Sequence, residues 1–133
     1  MTAPVAGSNP VLELDEVFAA LSHPRRRYLL YTLVNGSSEA TLSELAANVA
    51  AWEQDKDQSA LTDDERQEVH ISLYHSHIPK LASLGILEYQ ESEDIIVRAV
   101  NTDQVQAVLD GAGAELDSRQ ETHAHHTNDT ESR

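Results

Sequence analysis

At 133 residues, with no cysteine and a formal charge of −14, the chain suits one domain with a single core, and disulfides, thiolate metal sites and a cysteine nucleophile are excluded. No run approaches the ~18 apolar residues that span a bilayer, so no membrane segment is expected. The start, "MTAPVAGSNP", lacks the basic and apolar parts of a secretory signal, and the absence of cysteine fits the cytoplasmic location expected here.

The acid is spread along the chain. Between residues 12 and 110 there are 18 acidic residues against 7 Lys or Arg, and only Lys56 and Lys80 are lysines. Dense carboxylates with little Lys and few aromatics match the cytoplasmic proteins of extreme halophiles, which stay soluble in concentrated salt where repulsion is screened within a few ångströms. A mesophilic protein with acidic tails is the alternative; acid held in blocks would favour it, and here the acid is distributed.

Residues 1–11 are small and polar, and residues 111–133 have one Leu and no aromatic or β-branched aliphatic residue. Neither end can bury enough surface to offset its ordering entropy, so both are expected to be disordered around a domain at 12–110. "LDEVFAALS" predicts a helix with Leu14, Val17, Phe18 and Leu21 on its buried face. "HPRRRYLLYTLVNG" predicts a second helix, capped by Ser22 or His23, with Pro24 in its first turn, a core stripe of Leu29, Leu30 and Leu33, and a stop at Asn35-Gly36.

In "TLSELAANVAAWE", Thr41 and Glu44 form a capping box, and Leu42, Leu45, Ala46, Val49 and Trp52 are the expected buried face. A polar linker follows, and Thr62 with Glu65 forms a second capping box. The helix beyond it is long, with Ile71, Tyr74, Ile78, Leu81 and Leu84 as its inward stripe and Gly85 as a left-handed stop. Pro79 removes a ladder donor and clashes one turn back, so it should bend this helix or restart its last turns. "ILEYQ" and "DIIVRAV" around "ESE" read as a hairpin. "NTDQVQAVLDG" reads as a closing helix capped by Asn101 or Thr102, with Val105, Val108 and Leu109 inward.

This order predicts a mainly helical α+β domain: a winged helix-turn-helix, its helices joined to a two-stranded hairpin wing, with a recognition helix within about 66–84. Two phrases carry a resemblance. "ALSHPRRRYLL", with Ala20, Leu21, Ser22, Pro24, Arg26, Arg27, Leu29 and Leu30, resembles the opening of ArsR-type winged-helix regulators. "SHIPKLASLGIL", with Ser76, His77, Ile78, Leu81, Gly85, Ile86 and Leu87, resembles their recognition-helix phrase. The span from Leu14 to Asp110 is also similar to an uncharacterised family of haloarchaeal winged-helix domains, through its P-R-R-R-Y, A-A-W-E and S-L-Y-H-x-H-x-P-K-L phrases. The resemblance implies a transcription regulator and brings no effector or operator; a regulator of this fold is expected to bind double-stranded DNA, here as a homodimer. Metal-sensing relatives use cysteines or paired His and carboxylate sets that this chain lacks, so metal sensing is not implied.

The residues expected to be free for a DNA groove are His70, Ser72, Leu73, His75, Ser76 and Lys80. Ser and His bond base edges or phosphates, Leu73 can touch a thymine methyl, and Lys80 suits a phosphate. An ordinary solvated helix face is the alternative. Arg25, Arg26 and Arg27 cannot share one face: one or two are candidates for phosphate, the rest for pairing with Asp15 or Glu16 and for covering apolar surface. His70, Tyr74 and His77 fall near one another on an ideal helix and His75 points away, so the histidines make no clean ligand face. His77 is expected to be structural, tucked against a preceding helix. The tail histidines His123, His125 and His126 could hold a transition metal only weakly. No Gly-rich phosphate loop or nucleophile elbow is visible, so neither enzymatic activity nor a cofactor, metal or small-molecule ligand is expected.

The charge opposes DNA binding, because affinity for a duplex comes mostly from phosphate neutralisation by Lys and Arg, and the wing tip "QESEDI" is acidic. Molar salt softens that repulsion. Two readings therefore stand: a dimeric DNA-binding regulator, with Val11, Leu12, Val105 and Val108 as spare apolar surface on the first and last helices, or a winged-helix protein-interaction module whose acidic wing meets a basic partner.

Overall fold

The computed structural model describes residues 11–36 and 39–113, with side chains described to Gly111. The expected disordered ends, including the tail histidines, lie almost wholly outside these residues. The elements run α1 (Leu14–Ala20), α2 (Pro24–Asn35), β1 (Glu39–Ala40), α3 (Leu42–Gln54), a 3-10 turn (Gln58–Ala60), α4 (Asp63–Ser72), a π-helical turn (Leu73–His77), α5 (Ile78–Ser83), β2 (Leu87–Gln90), β3 (Ile95–Arg98) and α6 (Thr102–Val108). The result is a mainly helical α+β domain with a small antiparallel sheet.

Local chemistry explains the helix starts. His23 caps α2 by accepting the Arg25 N–H on Nδ1, with Pro24 as the first helical residue. Both predicted capping boxes form. Thr41 and Glu44 exchange bonds of 3.1 and 2.9 Å at the start of α3. Thr62 and Glu65 do the same at 3.0 and 2.9 Å at the start of α4. Gly36 ends α2, where any Cβ would stand 2.8 Å from the Thr32 carbonyl oxygen.

Gly85, at φ 70°, ends α5. The Ile86 N–H reaches Leu81 O, and the Gly85 N–H reaches Ala82 O, so the last carbonyls of the helix are satisfied. Asn101 does not cap α6 with its side chain. Its amide instead donates to Leu84 O at 2.9 Å, and Thr102 donates to Ile86 O. These bonds clamp the start of α6 to the turn between α5 and β2.

The sheet has three strands, one more than the sequence suggests, in the order β1-β3-β2. Glu39 and Ala40 pair with Val97 and Ile96. Two residues are too few to leave an alternating signature, so only the partner strand reveals them. The hairpin pairs Leu87 with Arg98 through Gln90 with Ile95 and turns through Asp94 at φ 53°.

One core joins Leu29, Leu30 and Leu33 of α2, Leu42, Leu45 and Val49 of α3, Ile86, Leu87 and Ile96 of the sheet, and Val105 and Leu109. Several expected faces are corrected. On α1, Val17, Ala20 and Leu21 are buried, while Leu14 and Phe18 are 63% and 54% exposed. With only seven residues, α1 rests on the domain along one narrow edge. Trp52 is also partly exposed, set edge-on to Tyr28 with ring centroids 4.5 Å apart. Leu12 and Val105 are buried and are therefore not spare surface. Leu12 is held by Gln104 through bonds of 2.8 and 3.1 Å to its N–H and carbonyl.

Candidate functional site

The long helix departs most from its expected register. At the π-helical turn the Ile78 N–H bonds Leu73 O, five residues back. Pro79, which has no N–H and would crowd a carbonyl one turn back, follows at once; the wider turn accommodates it. From Ile78 the buried positions therefore step back five residues to Leu73 and then four to Val69. Leu73 is 0% exposed, whereas Ile71 and Tyr74, expected inward, are 49% and 37% exposed. Leu73 is thus core and cannot face a DNA groove. Of the other candidates, His75, Ser76 and Lys80 are exposed, and His70 and Ser72 are half-buried.

The widened turn also separates the side chains that an ideal helix would group. Tyr74 points to the hairpin and donates to Glu91 at 2.6 Å. That hydrogen bond raises its hydroxyl pKa above the ordinary tyrosine value. Tyr89, 6.3 Å away ring to ring, donates to Asp94 at 2.8 Å. Desolvation first, and then Asp94, push its hydroxyl up to about 12. Between helix and hairpin lies an open cleft of about 630 Å³.

His77 turns the other way and is buried against the start of α2, its ring 4.3 Å from that of His23. The expected structural position is met. Burial first, and then the neighbouring His23, Arg26 and Arg25, hold its pKa down to about 4. His23 is lowered for the same kinds of reason, desolvation foremost and Arg26 next.

Among the described residues, Arg25 and Arg26 take partners other than Asp15 and Glu16. Glu16 accepts the Glu13 N–H at the start of α1. Arg25 forms a two-pronged pair with Glu53 at 2.6 and 3.1 Å and lies 3.9 Å from Glu68. The Glu53 hydrogen bond is the main reason that its pKa is raised. Arg26 donates to Ala20 O and Ala19 O, each at 2.8 Å, and to Ser22 Oγ at 3.1 Å. Its remaining nitrogen lies 3.3 Å from His77 Nδ1, and burial lowers its pKa. Arg27 donates to Leu21 O at 2.6 Å.

Arg26 and Arg27 therefore satisfy carbonyls left open where α1 ends, and they lock α1 to α2. The sequence does not distinguish these roles, because a guanidinium that seeks backbone carbonyls looks, in one dimension, the same as one that seeks phosphate. Among the described residues, no three His, Asp or Glu side chains converge into a metal-holding group. No described helix is long and apolar enough to cross a membrane.

The protein-family model described as Domain of unknown function (DUF7344) matches residues 18–97. The chain belongs to this family. The DUF7344 match runs from α1 to β3, so it takes in the Arg26–His77 contact, the π-helical turn and all of the cleft's lining but Ala99, and stops short of α6. No curated protein and no solved structure matches the chain.

Proposed function

We propose that this protein is a winged helix-turn-helix transcription regulator of an extreme halophile, acting in the cytoplasm as a homodimer on double-stranded DNA. In this reading α2 and α3 support α4–α5 as the recognition helix, and β2–β3 are the wing. The observation that carries it is the placement of acid-free sequence. In a chain with 23 acidic residues, the two longest stretches without one are 17–38 and 69–87. They are packed together at His23, Arg26 and His77, and the second exposes Ser76 and Lys80, with His75 and Ser83 exposed at the border of the hairpin cleft. Such a side chain set suits base edges and phosphate, and molar salt confines repulsion from the surrounding acid to about 3 Å.

The arginines have a structural task in this reading, so Lys80 is the phosphate-facing cation. For the dimer, Val11, Leu14 and Phe18 are the exposed apolar residues at the start of the domain; Val108 is half-buried.

Selection from a random duplex library in molar KCl tests the reading, with His75→Ala and Lys80→Glu as variants. Enrichment of one motif by the wild-type protein, lost in Lys80→Glu, is the expected result. Failure to enrich any motif, or retention that neither variant changes, overturns it.

A further inference from the structure

We infer that the cleft between α5 and the hairpin docks an extended, arginine- or lysine-bearing segment of a partner protein. The inference does not rest on the DNA reading: His75 and Ser83 border the cleft, but Ser76 and the phosphate-facing Lys80 do not.

Three features of the cleft converge. The first is charge. Glu88 and Glu91 stand on the hairpin side, Asp94 lies behind Tyr89, and no Lys or Arg lines the cleft. A phosphate backbone is repelled there, and a guanidinium or ammonium is attracted.

The second is aromatic surface. Tyr74 and Tyr89 meet edge to face, interplanar angle 87°, and each hydroxyl is tied to a carboxylate. The rings are thereby fixed before any partner arrives, and a tyrosine face held beside carboxylates accepts a cation. The Tyr74 bond uses one oxygen of Glu91 and leaves the other for a ligand.

The third is the strand edge. The order β1-β3-β2 leaves the outer side of β2 without a strand neighbour among the described residues. The Ala99 N–H bonds Ile86 O, and the register runs from Leu87 with Arg98 to Gln90 with Ile95. The alternation of an antiparallel ladder then aims the main-chain groups of Glu88 and Gln90 at β3 and those of Leu87 and Tyr89 outward. Both residues border the cleft. An added strand would take its register from these groups and place one alternating set of side chains toward the tyrosines and Glu91 and the other toward Glu88. Four residues of edge suit a short segment, so the alternating basic residues supply the specificity.

The test uses a fluorescein-labelled Gly-Val-Arg-Val-Arg-Val-Gly peptide and the full chain, read by anisotropy and by amide shifts in NMR. Glu88→Gln/Glu91→Gln is expected to weaken binding about tenfold, as loss of two partly exposed charge contacts implies. Asp15→Asn/Asp110→Asn removes the same charge outside the cleft and is expected to change affinity less than about twofold. In the wild-type protein the largest amide shifts should fall on Leu87 and Tyr89.

Equal loss in the two double variants, shifts scattered over the acidic surface, or no binding of the peptide would each overturn the inference. If the cleft variant folds poorly, the wild-type shift map decides alone. Lys80→Glu should abolish duplex selection and leave peptide affinity intact, so failure of the DNA reading and failure of this one are separately visible.

Discussion

Arg26 donates to Nδ1 of the buried His77 across 3.3 Å. A guanidinium has no acceptor, so Nδ1 is unprotonated and the ring proton sits on Nε2. The contact joins α2 to the far end of the π-helical turn, and it requires His77 to be neutral.

Acid should therefore loosen the domain. In the fold the His77 pKa is near 4, against 6.5 for an ordinary histidine. The unfolded chain takes up this proton first as the pH falls. The contribution is complete above the ordinary value, is lost progressively on descent from there toward about 4, and levels off below that. The steepest loss from one such group is about 1.4 kcal/mol per pH unit. Carboxylates titrate too, so the quantity to measure is the difference between wild type and His77→Gln in urea unfolding at constant salt. The variant should show a shallower decline across this window. Identical slopes would mean that His77 does not carry the effect.

Arg26 should matter more than its neighbour Arg25. Arg26→Lys loses the fork that reaches two α1 carbonyls, and a destabilisation of about 2–3 kcal/mol is expected. Arg25→Ala removes a partly exposed pair with Glu53 and should cost about 1 kcal/mol. Urea midpoints give both values. An Arg26→Lys variant as stable as wild type would show that the α1 carbonyls do not need it.

The register of the long helix is open to a simple comparison. Leu73→Ala empties a fully buried position and should cost about 3 kcal/mol, whereas Ile71→Ala should cost less than about 0.5 kcal/mol. A continuous α-helix without the widened turn would reverse that order. Chemical denaturation of the two variants distinguishes the cases.

The proposed dimer depends on the exposed side of α1. Leu14→Asp/Phe18→Asp should shift sedimentation from dimer to monomer in molar KCl and leave the urea midpoint of the dissociated protein within about 0.5 kcal/mol of wild type. A wild-type protein that sediments as a monomer at all concentrations removes the dimer from the proposal.

Much of the chain is settled by neighbours in sequence. The capping boxes at Thr41 and Thr62, the His23-Pro24 start, the Gly85 stop and the hairpin around residues 91–94 are short-range chemistry, with partners within a few residues, so their signals survive in one dimension. Apolar spacing likewise marks Leu29, Leu30 and Leu33 as core. What the residues alone left open is decided by partners far along the chain. β1 exists because β3 offers it an edge, and Arg26 faces carbonyls because α1 ends beside it and His77 closes the other side. Leu73 is buried and Tyr74 freed because one widened turn before Pro79 rotates everything upstream of it. Spacing rules assume a constant number of residues per turn, and a single wider turn breaks that assumption without changing the composition of the sequence.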